Sequence, residues 1–498
     1  MIVPNDNPWL QARAKAEAER EKAAVNMQPL RLRSLKKDTE LISVSTVAAA
    51  SIDFDLNAPE FSDEWLALTF AERHKEHIRY VDPWGKWMLW NGAVWQKDDK
   101  RTAFSMVREI CRDASCKATS PHVKERLASA ATVAAVERLA KADQRLAATI
   151  DQWDADPWAL NTPGGIINLR SGELQSHSPA AYCTKITSVA PDGDCPMWRA
   201  FLHRVTAGNR ELQMFLQRIA GYALTGDVSE HALFFAYGTG GNGKSVFINT
   251  VAAIMGGYHA TAVMDTFTAT QHDRHKTELA MLRGARLVTA QETEQGRRWA
   301  ESRIKSLTGG DPITANYMRQ DHFTFSPQFK LLIAGNHKPG LRNVDDAMRR
   351  RMHLLPFTQT IGPSERDLQL PDRLKAEWPG IMLWAVDGCA EWREKRLSPP
   401  EVVTQATAEY LNAEDTVALW LTECCKKDVS LKSSVSELFN SWSKWAAEAG
   451  EYPGSQKSFS QSMINRGFAA SRLHGGRAAL IGIGLNVSDD NWRTVDNG

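Results

Sequence analysis

Residues Gly238-Thr239-Gly240-Gly241-Asn242-Gly243-Lys244-Ser245 fit G-x-x-x-x-G-K-[ST], and their flanks dictate how the chain passes through them. Upstream, Ala232-Leu233-Phe234-Phe235-Ala236-Tyr237 is a short apolar, aromatic-rich run that reads as a buried parallel strand. Downstream, Val246 to Met255 has helical length and spacing. In a strand–glycine loop–helix unit the glycines let successive N–H groups face a phosphate, and the new helix adds its positive end. Gly238, Thr239, Gly240, Gly241, Asn242 and Gly243 would form the cradle. Lys244 would reach the β- and γ-phosphates, and the Ser245 hydroxyl would ligate Mg²⁺. ATP with Mg²⁺ is the expected ligand, and hydrolysis its expected fate. The alternative, a glycine-rich surface turn, leaves the flanking elements unexplained.

Further apolar runs, Ala285–Ala290, Phe329–Asn336 and Met352–Phe357, alternate with helical stretches. That alternation predicts an α/β fold with a doubly wound sheet, its function gathered at the carboxyl ends of the strands. A phosphate cradle needs carboxylates there, and Glu292 and Glu294 follow the first of these runs. At i and i+2 both point into one cleft, where one would hold Mg²⁺ and the other activate water; a polar turn is the alternative. Asn336 closes the next run, either to position the γ-phosphate and the attacking water or to form a turn. Arg349-Arg350-Arg351 precede the last run. An arginine there can reach a neighbouring subunit's γ-phosphate, although a basic helix end complementing its own dipole has the same sequence. Between the acids and Asn336, residues 313–318 and 322–325 flank Arg319-Gln320-Asp321 as the arms and turn of a hairpin. Arg319 and His322 at its tip carry the charge and donors that a phosphate backbone requires; a structural hairpin with a polar tip is the alternative.

The length of 498 residues leaves room for about three domains. A net charge of +1 excludes a global field that draws nucleic acid, so such contacts must come from local patches. The seven cysteines lack a second pair at zinc-ligand spacing and read as reduced thiols. No apolar run approaches membrane length and no signal-peptide core is present, so a cytoplasmic protein without membrane contact is expected. Residues 1–60 read as a mostly disordered tail, basic at Arg31, Arg33, Lys36 and Lys37. Residues 61–195 read as a small α+β domain, with a hairpin at Asn91-Gly92, helices near 101–118 and 121–149, and tryptophans better suited to a core than to base stacking. Residues 196–375 would hold the ATPase. Residues 376–498 would be a helical connector and a winged helix, formed by helices at 433–450 and 455–466 and a hairpin over His474-Gly475-Gly476-Arg477. Lys457 and Arg466 on or near its second helix, with Arg472 and Arg477 on the wing, are candidate DNA contacts; such modules also bind proteins.

The run from about Phe201 to Phe357 resembles the superfamily 3 helicases, specifically the phage and plasmid primase–helicases related to the poxvirus type. The resemblance is carried by Gly221-Tyr222-Ala223-Leu224-Thr225-Gly226, the glycine loop, Gln291-Glu292-Thr293, Lys305 to Asp311, Ala334-Gly335-Asn336-His337-Lys338-Pro339 and Arg349-Arg350-Arg351, in that order. Residues 61–195 resemble the domain that precedes the helicase in that family. The resemblance implies a hexameric AAA+ motor on single-stranded DNA in phage, plasmid or integrated-element replication. It implies Walker A roles for Lys244 and Ser245, the Walker B role for Glu292 with Glu294, sensor 1 for Asn336, and the arginine finger for Arg350 or Arg351. Thr293 separates the two acids, which leaves their division of labour open. The short N-terminal tail cannot contain a primase domain, so a separate host or phage primase and a replication-origin duplex are expected partners. The alternative function is an origin-binding or remodelling AAA+ ATPase whose ATP site controls assembly rather than unwinding.

Overall fold

Residues 58–269, 277–291, 296–316, 322–341 and 344–486 are described in a computed structural model. The first described helix, Asp63–His74, starts where the Ser62 hydroxyl accepts the Trp65 N–H at 3.1 Å. Strands β1 (Ile78–Val81), β2 (Lys86–Trp90) and β3 (Trp95–Lys97) follow as an antiparallel meander, with Trp90 opposite Trp95 across the Asn91-Gly92 turn. The helix expected over 121–149 is two helices, Pro121–Leu127 and Ala130–Lys141. Ser129 restarts the chain as an N-cap, accepting the Thr132 N–H at 3.1 Å. Leu66, Phe70, Ile78, Val107, Ile110 and Val136 form a core of this region's own, and Trp87, Trp95 and Trp153 are buried, as packing rather than base stacking requires.

Strands β4 (Ala159–Thr162), β5 (Gly165–Asn168) and β6 (Glu173–Gln175) make a second antiparallel sheet. Leu160 and Ile167 from it, with Leu169 just after, join the core of the following part, while Asn161 also donates to the Ala93 carbonyl of the preceding one at 2.9 Å. Arg286 reinforces that seam. It is 2% exposed, lies over the Tyr258 ring, and donates to the carbonyls of Asp156, Ala159 and Leu224 at 3.1, 2.8 and 2.7 Å.

The central sheet contains β7 (Leu233–Tyr237), β8 (His259–Thr261), β9 (Leu287–Gln291), β12 (Lys330–Gly335) and β13 (Met352–Pro356) in the order β13–β7–β12–β9–β8, all parallel. Strand β8 had no sequence signal, being three residues at the sheet edge with half-exposed side chains. An antiparallel pair, β10 (Ile313–Asn316) and β11 (His322–Phe325), stands between β9 and β12. Helices Arg210–Leu224, Lys244–Met255 and Trp378–Lys395 cover one face through Phe215, Phe247, Ile254, Ile381 and Trp392. Glu401–Glu414 packs Ala406, Tyr410 and Leu411 against the other. The sheet's cores therefore continue past residue 375 to Leu411.

After the helix Thr416–Cys424 comes a small module with its own core around Trp420, Leu438, Trp442, Phe459 and Leu480. It contains helices Val435–Glu448 and Gln456–Asn465 and a three-stranded antiparallel sheet in the order β14 (Cys425–Ser434), β16 (Ala478–Leu485), β15 (Ala469–Arg472). Strand β14 was invisible to hydrophobic patterning because most of its side chains are exposed and its register shifts between Lys427 and Lys432.

Candidate functional site

The register of the central strands sets Tyr237 beside Gly335 and Ala334 beside Gln291, so β7, β12 and β9 end level with one another. The glycine loop leaves β7 at this edge. Gly238 and Gly243 have φ of +147° and +85°, which L side chains rarely adopt. A Cβ on Gly238 would also meet the Phe357 carbonyl oxygen at 2.0 Å, and one on Gly243 would meet Val205 Cγ1 at 2.5 Å. The loop is thus threaded between the helix Pro196–Val205 and the segment that leaves β13. The helix Lys244–Met255 starts immediately after Gly243, anchored by buried Phe247, Ile248 and Val251.

Lys244 is 7% exposed. Its ammonium donates to the Gly238 carbonyl at 2.6 Å, to Asn242 Oδ1 at 3.2 Å and to Asn336 Oδ1 at 3.3 Å. Burial lowers its pKa, and among the described residues no carboxylate pairs with it. Asn242 pins the loop by donating to the Phe357 carbonyl at 2.6 Å and to the Thr239 carbonyl. Thr239, Gly240, Gly241 and Ser245 face outward and are exposed. Gln291, at the end of β9, donates to Asn249 Oδ1 of the loop helix at 2.8 Å. Glu292 and Glu294, which follow it, lie outside the described residues.

The three arginines part company. Arg349 reaches Asn412 and Asp415, at 3.5 and 3.4 Å. Arg351 is 7% exposed and donates to Thr308 Oγ1 at 3.2 Å and to the Ala347 carbonyl at 2.9 Å. Arg350 is exposed, and no described residue partners its side chain.

Of the candidate DNA contacts, His322 is exposed opposite Asn316, and Arg319 lies outside the described residues. Lys457, Arg472 and Arg477 are exposed. Arg466 instead turns inward, donating to both oxygens of Asp415 at 3.0 and 2.5 Å. Asp415 is 4% exposed, and a buried carboxylate demands such partners. Asp415 went unread as an ion-pair centre; the sequence signals only its cap on the next helix, where it accepts the Ala418 N–H at 3.1 Å. Arg366 was also passed over, since no motif marks it. Its guanidinium lies so near Gly241 that a Cβ there would meet Nη2 at 2.2 Å.

Residues 67–207 match the family described as D5 N terminal like, and residues 236–351 match a family of unknown function, DUF5906. The chain is 23% identical over 319 residues to a helicase candidate of Acanthamoeba polyphaga mimivirus, covering 59% of this chain and 33% of that protein. It is 24% identical over 271 residues to a helicase candidate of Frog virus 3 (isolate Goorha), covering 50% of this chain and 27% of that protein. The chain thus spans about a third or less of the length of these curated relatives. Among solved structures, the apo C-terminal region of NrS-1 aligns with a TM-score of 0.45 at 11% identity, over 84% of this chain and 99% of that one. That TM-score is below the level from which a shared fold follows.

Fold and site define a mixed α/β protein with a parallel sheet whose glycine loop opens at the carboxyl edge. Its similarities are to the family described as D5 N terminal like over residues 67–207, to DUF5906 over residues 236–351, and to helicase candidates of viruses. Among the described residues no helix is long and apolar enough to cross a membrane.

Proposed function

We propose that this chain is an ATP-dependent DNA helicase of the superfamily 3 type, moving on single-stranded DNA during replication of a phage, plasmid, virus or integrated element. One observation carries the reading. The Lys244 ammonium lies between the glycine loop and Asn336, at the level ends of adjacent parallel strands, with neutral oxygens as its described acceptors. A cation held in that way has its natural partner in a phosphate anion, and the loop's N–H groups and helix end add to the same field.

Mg²⁺ fits this arrangement. The Ser245 hydroxyl is exposed in the first turn of the loop helix, where a cation that arrives with phosphates would take it and the acid Glu292 as its protein ligands. Bound there, it would neutralise charge on the β- and γ-phosphates. Asn336 would orient the γ-phosphate or the attacking water. Exposed Arg350 suits an arginine finger that serves the neighbouring subunit of a ring. Winged-helix contact with DNA would use Lys457, Arg472 and Arg477.

The test is ATP hydrolysis by the purified protein, with and without single-stranded DNA, beside Lys244→Ala. Hydrolysis stimulated by DNA and abolished in a folded Lys244→Ala protein is the expected result. Normal hydrolysis by that variant would refute the loop assignment. Mutant-sensitive hydrolysis indifferent to DNA would favour an ATPase that controls assembly at an origin or remodels a partner.

A further inference from the structure

We propose that Arg366 is a second phosphate-binding cation of the glycine loop, engaging the diphosphate part of a bound nucleoside di- or triphosphate. The proposal rests on the nucleotide-site reading above.

The chain leaving β13 folds back over the loop through a ladder of contacts. Phe357 donates its N–H to the Tyr237 carbonyl at 2.9 Å and accepts from Asn242 at 2.6 Å. Ile361 donates its N–H to the Gly241 carbonyl at 2.8 Å. Arg366 Nε then donates to the Ile361 carbonyl at 3.1 Å, which aims the guanidinium back at the loop. An ideal Cβ on Gly241 would meet Arg366 Nη2 at 2.2 Å and Cζ at 2.8 Å, so the guanidinium lies directly on that glycine. Lys244 reaches across to the Gly238 carbonyl at one end of the loop, and Arg366 covers Gly241 farther along.

The charges around this contact do not cancel. The neighbouring Glu365 is engaged by Arg204, 2.7 Å away on the helix Pro196–Val205. Among the described residues no carboxylate pairs with Arg366. A guanidinium, an ammonium and a helix N-terminus therefore border the same glycine loop, with only neutral oxygens as described acceptors. That accumulation is repulsive until an anion enters. With Nε engaged, the outer guanidinium nitrogens remain as a planar fork, which matches two phosphate oxygens. Because Arg366 is exposed, its head can rotate off Gly241 as the phosphate arrives, while Ile361 stays bonded to the loop.

The experiment is equilibrium titration of a fluorescent ADP into the full chain and into Lys244→Ala, Arg366→Ala, Arg366→Lys and Arg366→Gln, each checked for an unchanged thermal midpoint. Arg366→Ala should weaken ADP binding about tenfold, within the range of one charged hydrogen-bonded contact. Arg366→Lys, which keeps the charge, should recover part of the loss. Arg366→Gln, which keeps a donor for the Ile361 carbonyl without charge, should not. Binding by Arg366→Ala within twofold of the parent, or tighter than it, would overturn the proposal, as would Gln rescuing as well as Lys. An unsubstituted protein that binds no ADP would instead sink the nucleotide-site reading itself.

Discussion

Three consecutive arginines show how far a side chain's role depends on where its backbone turns. Arg349, Arg350 and Arg351 have one chemistry and three surroundings: a shared carboxylate, open solvent, and a hydroxyl and carbonyl inside the protein. The expected consequence is a split between assay and stability. Arg350→Ala should leave the thermal midpoint unchanged and abolish hydrolysis in the assembled protein, with activity partly restored on mixing with Lys244→Ala protein. Arg351→Ala should lower the midpoint by several degrees, since it strips partners from Thr308 and Ala347. Absence of rescue in every mixing ratio would count against an Arg350 acting in trans. The sequence displayed the triplet and not its division. Which arginine faces out is decided by the short helix Asp346–Arg349, whose register against β13 has no signature of its own. Arg366 was unreadable for a related reason: its contact depends on the path of a loop that returns to Gly241 from far along the chain.

Elements were legible in proportion to their burial. The runs that became β7, β9, β12 and β13 are apolar because the central sheet is covered on both faces, and a parallel sheet writes that pattern strongly. β8 and β14 are short or exposed, and left no such trace. Helix crossings were also hidden. Helices Arg210–Leu224 and Trp378–Lys395 meet backbone to backbone, so a Cβ on Gly221 would fall 2.0 Å from the Cys389 nitrogen, and one on Gly388 would fall 2.2 Å from the Gln217 carbonyl oxygen. In an open helix Gly→Ala stabilises by about 1 kcal/mol. Here the sign should reverse: Gly388→Ala should destabilise by about 2 kcal/mol, because overpacking forces the helices apart. A thermal midpoint that rises in Gly388→Ala would show that the crossing has slack.

At the scale of the whole molecule, the C-terminal module is tied to the sheet by Asp415, which accepts from Arg349 on the sheet side and Arg466 on the module side at 3.4 and 2.5 Å. Asp415→Asn should loosen this junction by about 1–3 kcal/mol, less than a fully buried pair because both arginines are partly solvated. Limited proteolysis should then cut near residues 412–425 earlier than in the parent chain, while cleavage elsewhere is unchanged. An identical digestion pattern would make the shared carboxylate incidental.

The helix Glu401–Glu414 also caps the outer edge of the sheet, where Thr407 Oγ1 accepts the Leu354 N–H of β13 at 3.0 Å and Glu414 accepts the Leu341 N–H at 2.8 Å. Without that helix, β13 would expose unpaired backbone groups beside Met352, Leu354 and Leu355, the kind of edge on which a second chain can template. A fragment trimmed to the recognisable motifs and ending near residue 360 would therefore be a sticky, aggregating piece. The smallest well-behaved unit that holds the glycine loop should extend through Glu414, well past Arg366.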